Sequence, residues 1–328
     1  MVFLKNKKIL LIIIVVLIII IGTLLLLRPL FSNNNMEIIN NSEEHIDISL
    51  GVNPKTSDSS VKISNNNIYI NKGGNYNISG ILINGTIYID TTNEVTLNFL
   101  GVTIVNELNN VIDNRNSSKL IINLDKNTNN ILSDGGASNG VIKSVGDLYI
   151  EGKGKLLIYA NGNNGIESKE NLVIDGPSIY ISAINDVFVV NKELLVNSGS
   201  IIGIGNNTMK IPNQLSKQNV MLFNFTEKYL ENTTFSLVDN SNKAIYSFVA
   251  LRDFNTLIIS TANIKKGSYH LLKDITCDEV IENGICSNET VSGGNRIKIG
   301  ISDTFTVDGK SNWYGKKFIN ITNPDNFV

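Results

Sequence analysis

Asn139-Gly-Val-Ile142, Leu148-Tyr-Ile150 and Leu156-Leu-Ile-Tyr-Ala160 open a stretch of the chain that comes round twice more. Asn164-Gly-Ile166, Leu172-Val-Ile174 and Ile179-Tyr-Ile-Ser-Ala183 follow in the same order. Asn185-Asp-Val-Phe188, Leu194-Leu-Val196 and Ile201-Ile-Gly-Ile-Gly205 follow those. The step from Ile142 to Ile166 nearly equals that from Ile166 to Phe188, and Leu148, Leu172 and Leu194 keep the same two steps. Three short β-branched runs recur in each period of roughly 23 residues, with Asn, Gly, Asp and Ser between them, which predicts strands stacked in coils: a parallel β-helix. One coil cannot bury its inward side chains alone. Stacking places like residue above like residue, so the columns expected are Ile142/Ile166/Phe188, Leu148/Leu172/Leu194, Ile150/Ile174/Val196 and Ile158/Ile181/Ile204. Alternation along each strand turns the residues between them outward. Asn164 and Asn185 fall at equivalent turns, with Asn139 slightly displaced, and stacked asparagines can hydrogen-bond along such a ladder. A β-sandwich is the alternative, but it does not predict equal steps in several columns.

Outward from this stretch, Ile68-Tyr-Ile70, Thr86-Ile-Tyr-Ile89, Val95-Thr-Leu-Asn-Phe99 and Leu120-Ile-Ile-Asn-Leu124 extend the strand pattern toward residue 61. Beyond about residue 210 the repeat fades. Met221 to Phe225, Thr233 to Val238, Ala244 to Leu251, Thr256 to Ser260 and Tyr269 to Lys273 read as strands, with turns at Asp239-Asn240 and Lys266-Gly267. The open end of a β-helix is an exposed sheet edge, so residues 213–328 are expected to form a β subdomain that caps it. Residues 28–60, rich in Asn, Ser, Asp and Glu, read as a polar stalk with room for one short strand at Ile46 to Leu50.

Ile9 to Leu27 is an apolar run interrupted only by Gly22 and Thr23. At about 1.5 Å per residue it is roughly 28 Å long, enough to cross the bilayer core. Lys5, Lys7 and Lys8 precede it and only Arg28 follows closely. The positive-inside rule therefore puts residues 1–8 in the cytoplasm and the remainder outside, on a single-pass anchor at 9–27. A cleaved signal peptide is the rival reading, but the run ends Leu-Leu-Leu-Leu-Arg-Pro-Leu-Phe, without small residues for cleavage.

The charges nearly cancel, 28 basic against 30 acidic residues, so nothing points to nucleic acid. The exported compartment permits a disulfide between Cys277 and Cys286, which flank the turn pair Asn283-Gly284; two unpaired thiols are the alternative. His45 and His270 lie far apart in the chain and suggest neither a triad nor a zinc site.

The stretches Asn75-Tyr-Asn-Ile-Ser-Gly-Ile-Leu-Ile-Asn-Gly-Thr-Ile-Tyr-Ile-Asp90, Val95-Thr-Leu-Asn-Phe-Leu-Gly-Val-Thr-Ile104 and Asn164-Gly-Ile-Glu-Ser-Lys-Glu-Asn-Leu-Val-Ile-Asp-Gly176 resemble a family of cell-surface carbohydrate-binding proteins. Thr256-Leu-Ile-Ile-Ser-Thr-Ala-Asn-Ile-Lys-Lys-Gly-Ser-Tyr269 is similar too, so the resemblance runs from about Ile68 to Val307. It implies a right-handed parallel β-helix like that of pectate lyases, binding polygalacturonate and calcium without established lyase activity. The expected function is thus non-catalytic binding of acidic polysaccharide at the outer surface. A rigid adhesive spacer and a polysaccharide lyase are the alternatives. Coils of that family often open Asn-Asp-Gly-Ile; here only Asn185-Asp186 keeps the Asp, and Val187 replaces the Gly.

Candidate calcium ligands are Asp134, Asn164, Glu167, Asn185 and Asp186, against the reading of solvated turns with an asparagine ladder. Asp90, Glu94, Glu151 and Asp175 read as plain turn residues. Lys143 and Lys169, on adjacent coils, are candidates to pair with uronate carboxylates, although exposed lysines also serve solubility. Tyr69 and Tyr88 occupy matching outward positions and are candidate platforms for sugar rings. Arg115, the one arginine of the β-helix stretch, sits in Asp113-Asn-Arg-Asn-Ser-Ser118, which reads as a turn.

Overall fold

The computed structural model describes residues 45–136, 139–207, 209–281 and 284–316, all within one compact unit, Glu43–Val328. It is all-β. The solenoid has three faces. Face one is made of the three- and four-residue strands Asn67–Ile70, Ile87–Ile89, Ile112–Asn114, Ile142–Ser144, Ile166–Ser168 and Phe188–Val190, parallel and in that order, which gives five complete turns. Gly74–Ile83, Val95–Asn106, Leu172–Ala183 and Leu194–Gly205 each bend across faces two and three. In the coils between them the two faces are separate strands, Lys119–Leu124 with Asn129–Asp134 and Asp147–Gly152 with Lys155–Ala160.

The inward columns follow the alternation of the sequence. Ile68, Ile87, Ile112, Ile142, Ile166 and Phe188 stack in register on face one, at most 1% exposed. Leu148/Leu172/Leu194 and Ile150/Ile174/Val196 pair as expected on face two. The fourth column is corrected: Ile158 pairs Ile181, but Ile181 pairs Gly203. A Cβ on Gly203 would lie 2.5 Å from Val187 Cγ1 and 2.6 Å from Ile258 Cγ2, so neighbours fill the inward space. Ile204 points the other way, into a second core.

The corner between faces two and three needs glycine. Gly80, Gly101, Gly152, Gly176 and Gly199 stand there with φ of +86 to +112°, a region that side-chain-bearing residues avoid. At Gly176 a Cβ would also lie 2.3 Å from the carbonyl oxygen of Gly152 on the coil before.

Both ends of the solenoid are covered. At the first, His45–Leu50 lies parallel on Gly74–Ile83, and Val61–Ser64 pairs with Asn67–Ile70 through a tight turn in which Asn65 and Asn66 have φ of 50° and 61°. The strand His45–Leu50 thus lies inside the stretch read as stalk, over the short strand expected at Ile46 to Leu50. At the other, Phe254–Thr261 pairs antiparallel with Leu194–Gly205, followed by Val220–Tyr229 and Ser311–Gly315. A second sheet, built on Thr234–Asp239, Ala244–Val249 and Gly267–Lys273, packs against this extension. Its core of Phe223, Phe235, Phe248 and Phe254 also takes in Leu157, Tyr180, Ile202 and Ile204 from the outside of face three. The C-terminal subdomain thus continues the sheet edge and also covers a flank of the solenoid.

Cys277 and Cys286 form a disulfide with Cα atoms 5.4 Å apart. Asn283 of the expected turn lies outside the described residues, as do residues 9–27. Among the described residues no helix is long and apolar enough to cross a membrane.

Candidate functional site

Face one turns a single column outward. Its strands are so short that each turns outward one residue set between two buried ones, and on Ile112–Asn114 that residue, Asp113, is itself buried. In register, that column reads Lys62, Tyr69, Tyr88, Asp113, Lys143, Glu167 and Val189. Neighbouring coils are about 4.8 Å apart. A ligand following this column lies along the solenoid axis and meets one side chain per coil.

Tyr69 and Tyr88 do share a column, but they stack on each other. Their ring centroids are 5.0 Å apart with 21° between planes, so each turns a face to its neighbour and an edge to solvent. The guanidinium of Arg115 lies 3.8 Å from the centroid of Tyr88, and its Nε donates to Asp113 Oδ2 at 2.9 Å. Arg115 is therefore part of the site, folded back from the turn after its strand to occupy the column above Asp113. The turn expected at Arg115 holds for its backbone but not for its side chain. The signal in the sequence is its place two positions after Asp113, which puts the guanidinium over the preceding coil. Asp113 is 9% exposed and its Oδ1 has no partner.

Lys143 holds the next position, between Asp113 and Glu167. Lys169 does not join it. Its amide donates to Ser144 O at the corner of the next coil, in line with Arg115 rather than with Lys143.

At the far end of the column, Asn164 links the Glu167 carboxylate to the backbone of Asp186. Its Nδ2 donates to Glu167 Oε1 at 2.7 Å, and its Oδ1 accepts from the Asp186 amide at 3.0 Å. Asn164 is thus level with Asp186. Asn185 is level with Asn163, to whose Oδ1 it donates. The turn ladder exists, shifted by one position from the expected alignment. Burial pushes the Asp186 carboxyl up to about 7; the amide of Asn207 opposes this and the charge of Glu167 adds to it. Burial raises Glu167 as well, against the Asn164 amide, the Gly140 N–H and Lys143. Because the folded state retains a proton that the unfolded chain loses near its ordinary value of 3.8, the contribution to stability is present at low pH and is lost as pH rises from about 4 through 7. Denaturant midpoints at pH 5 and pH 8 are expected to differ in that direction. Asp186→Asn is expected to shrink the difference, and an unchanged difference would sink this assignment.

Asp134 stands apart from this pair. Its Oδ1 accepts from the Asn161 and Gly162 amides at 2.6 and 3.0 Å, and burial raises its carboxyl, against those two amides and Arg252. Arg252 itself reaches Ser182 Oγ at 2.8 Å, so the group ties the C-terminal subdomain to the solenoid. Among the described residues no three His, Cys, Asp or Glu side chains gather as a metal would need. Glu167, Asp186 and an Asn164 amide already engaged at both ends fall short of the six to eight oxygens calcium takes, so the expected ligand set does not fit a calcium ion held by the protein alone.

Residues 64–219 match the family model described as "Carbohydrate-binding domain-containing protein". A protein of Acetivibrio thermocellus with the same description is 31% identical over 135 residues, 38% of this chain and 47% of that protein. The chain thus spans about half the length of this relative. A solved structure titled as the polysaccharide lyase-like protein from C. thermocellum, a gadolinium derivative, has 26% identity and a TM-score of 0.48, over 51% of this chain and 73% of that one. The matched residues 64–219 are those of the solenoid and its exit, so the likeness to carbohydrate-binding-domain proteins resides in the part of the chain that displays the Tyr69-to-Glu167 column.

Proposed function

We propose that this protein is a non-catalytic binder of acidic polysaccharide, held outside the cytoplasmic membrane by Ile9 to Leu27 and reading its ligand along face one. The observation that carries the reading is the outward column itself. Two cations, Arg115 and Lys143, stand on adjacent coils of that column, within the residues that match carbohydrate-binding-domain proteins. A carboxylate of the ligand would face Arg115 and Lys143. The stacked tyrosines support Arg115 from below and present phenol edges, which makes them hydrogen-bonding groups in this scheme. The near balance of charge in the column favours a ligand carrying both hydroxyls and carboxylates over a bare polyanion.

A glycan array probed with residues 43–328, with and without a chelator, tests the reading. Signals on uronate-containing glycans are expected. Persistence of those signals in chelator matches the poor fit of the carboxylates to calcium, and their loss would give calcium a bridging role. No acidic-glycan signal in either condition overturns the proposal and leaves the rigid spacer as the better account.

A further inference from the structure

One inward column of face three runs from the first coil to the last strand of its sheet. From Leu82 it passes in register through Ile104, Ile158 and Ile181 to Leu222, and it ends on Trp313. The other five are buried, whereas Trp313, the only tryptophan of the chain, is 43% exposed. Ser311–Gly315 is the terminal strand there. At the first end the covering strands reach faces one and two but not face three. His45–Leu50 pairs only as far as Gly80 and Val61–Ser64 lies on face one, so among the described residues no strand lies beside Ile81–Ile83 on that side. A groove of about 600 Å³ follows this edge, lined by Ile81 and Ile83 with Leu50, Val52, Asn66 and Asn84. None of these residues is charged, and Ile83 and Val52 are 50% and 89% exposed.

The backbone groups of the two edges are in phase. Val220 N–H donates to Lys310 O at 2.7 Å, so Asn312 and Tyr314 turn their N–H and C=O toward that neighbour, and Ser311 and Trp313 turn theirs away. The Gln214 amide already bonds the Ser311 N–H and C=O, at 3.3 and 2.9 Å, which leaves those of Trp313 at the edge. Asn84 N–H donates to Val105 O at 2.7 Å on the second coil, so Ile81 and Ile83 turn their groups to the open side. With Trp313 set level with Leu82, Trp313 N–H meets Ile81 O and Ile83 N–H meets Trp313 O, the two bonds of a parallel pair. Strand direction agrees. Ser311–Gly315 is parallel to Val220–Tyr229, which follows Leu194–Gly205 after two antiparallel pairings, so it runs as the solenoid strands do.

We propose that copies of this chain associate head to tail, Ser311–Gly315 of one adding as a parallel strand on Ile81–Ile83 of the next. Trp313 then continues the inward column onto Leu82, and Tyr314 lies beside Ile83 over the groove. The occupant is a second copy because both edges belong to one sheet: direction, bond phase and inward column all carry over, so the contact continues the pairing the sheet already makes at each strand. It joins unlike surfaces and therefore extends into a row rather than stopping at a pair. The proposal rests on the fold and is independent of the glycan reading of face one.

The single tryptophan supplies the test. In the full chain in detergent, at fixed detergent-to-protein ratio, Trp313 emission is expected to shift to shorter wavelength as concentration rises from micromolar to several hundred micromolar, in step with a rise in sedimentation coefficient. Ile83→Lys alters the opposite end of the sheet and is expected to abolish the shift with native far-ultraviolet circular dichroism; Val52→Lys, a second groove variant at a more exposed position, acts in the same direction. Trp313→Lys is expected to stay monomeric. Mixing Trp313→Lys with Ile83→Lys is expected to restore the shift, since each retains the end the other lacks. Wild-type emission and sedimentation independent of concentration, a shift that survives both groove variants, or a mixture that restores nothing overturns the proposal, and the second of these outcomes places Trp313 against another partner or against its own twofold copy.

Discussion

Gly176→Ala is expected to lower stability by about 3–5 kcal/mol, read as a fall in the denaturant midpoint, because two costs combine. At φ +112° the backbone is in a region nearly closed to alanine, worth about 1–3 kcal/mol. The new Cβ would also lie 2.3 Å from Gly152 O, and neither coil can retreat without breaking the ladder that joins them; overpacking of this kind adds about 1–3 kcal/mol. Two companion variants separate these contributions. Gly101 has φ +86° but nothing within 4 Å of an added Cβ, so Gly101→Ala is expected to show the conformational part alone. Gly51 has an ordinary φ and its nearest atom at 4.0 Å, so Gly51→Ala is expected to be near neutral. Equal effects at all three positions would refute the idea that the corner between faces two and three governs coil stacking.

Arg115→Ala/Lys143→Ala is expected to weaken acidic-glycan binding by about 10- to 100-fold. Charge-assisted hydrogen bonds contribute about 1.5–3 kcal/mol each when well placed, and about 1.4 kcal/mol is a factor of ten. Exposure on the sheet surface screens both groups, so the pair is expected to contribute less than the roughly 3 kcal/mol that two such bonds would total. Two details identify the mechanism. Arg115→Lys keeps the charge but loses both the stack on Tyr88 and the planar fork, so it is expected to behave more like alanine than like wild type. Tyr88→Leu leaves both cations in place and removes the support under Arg115, so it is expected to weaken binding by less than the double variant. If wild-type affinity survives the double substitution in an affinity gel, the acidic ligand is bound elsewhere.

How much of this is legible in the chain depends on the regularity of the coils. Asp147 and Asn171, bonded on neighbouring coils, are 24 apart in sequence, and Asn171 and Glu193 on the next pair are 22 apart. There the period is readable from the amino-acid order. Asn114 and Ser144, bonded across an earlier pair of coils, are 30 apart, and Asn67 and Thr86 at the first coil are 19 apart. Each connection of the coil that runs from Asn114 to Ser144, at 115–118, 125–128 and 135–141, is two residues longer than its counterpart in the next coil, and with a tight first coil this breaks the period while the inward pattern persists. The Ile204 misplacement has a similar cause. The step from Ile158 to Ile181 is 23 residues and the next, from Ile181, is 22, so the inward place falls on Gly203 and Ile204 faces outward, where the C-terminal subdomain buries it.

The site shows the same division. That Tyr69, Tyr88, Lys143 and Glu167 point outward follows from alternation, which the amino-acid order determines by itself. That they form one line, with Tyr69 and Tyr88 face to face, Arg115 laid over Tyr88 and Lys169 outside it, depends on which coil lies on which. Asn164 bridging Glu167 and Asp186, and the separation of Asp134 from both, depend on it too. Inward against outward is a local property with a period of two. Adjacency across coils is set by loop lengths, bulges and glycine corners, and the side-chain chemistry of a solenoid surface lies along that second direction.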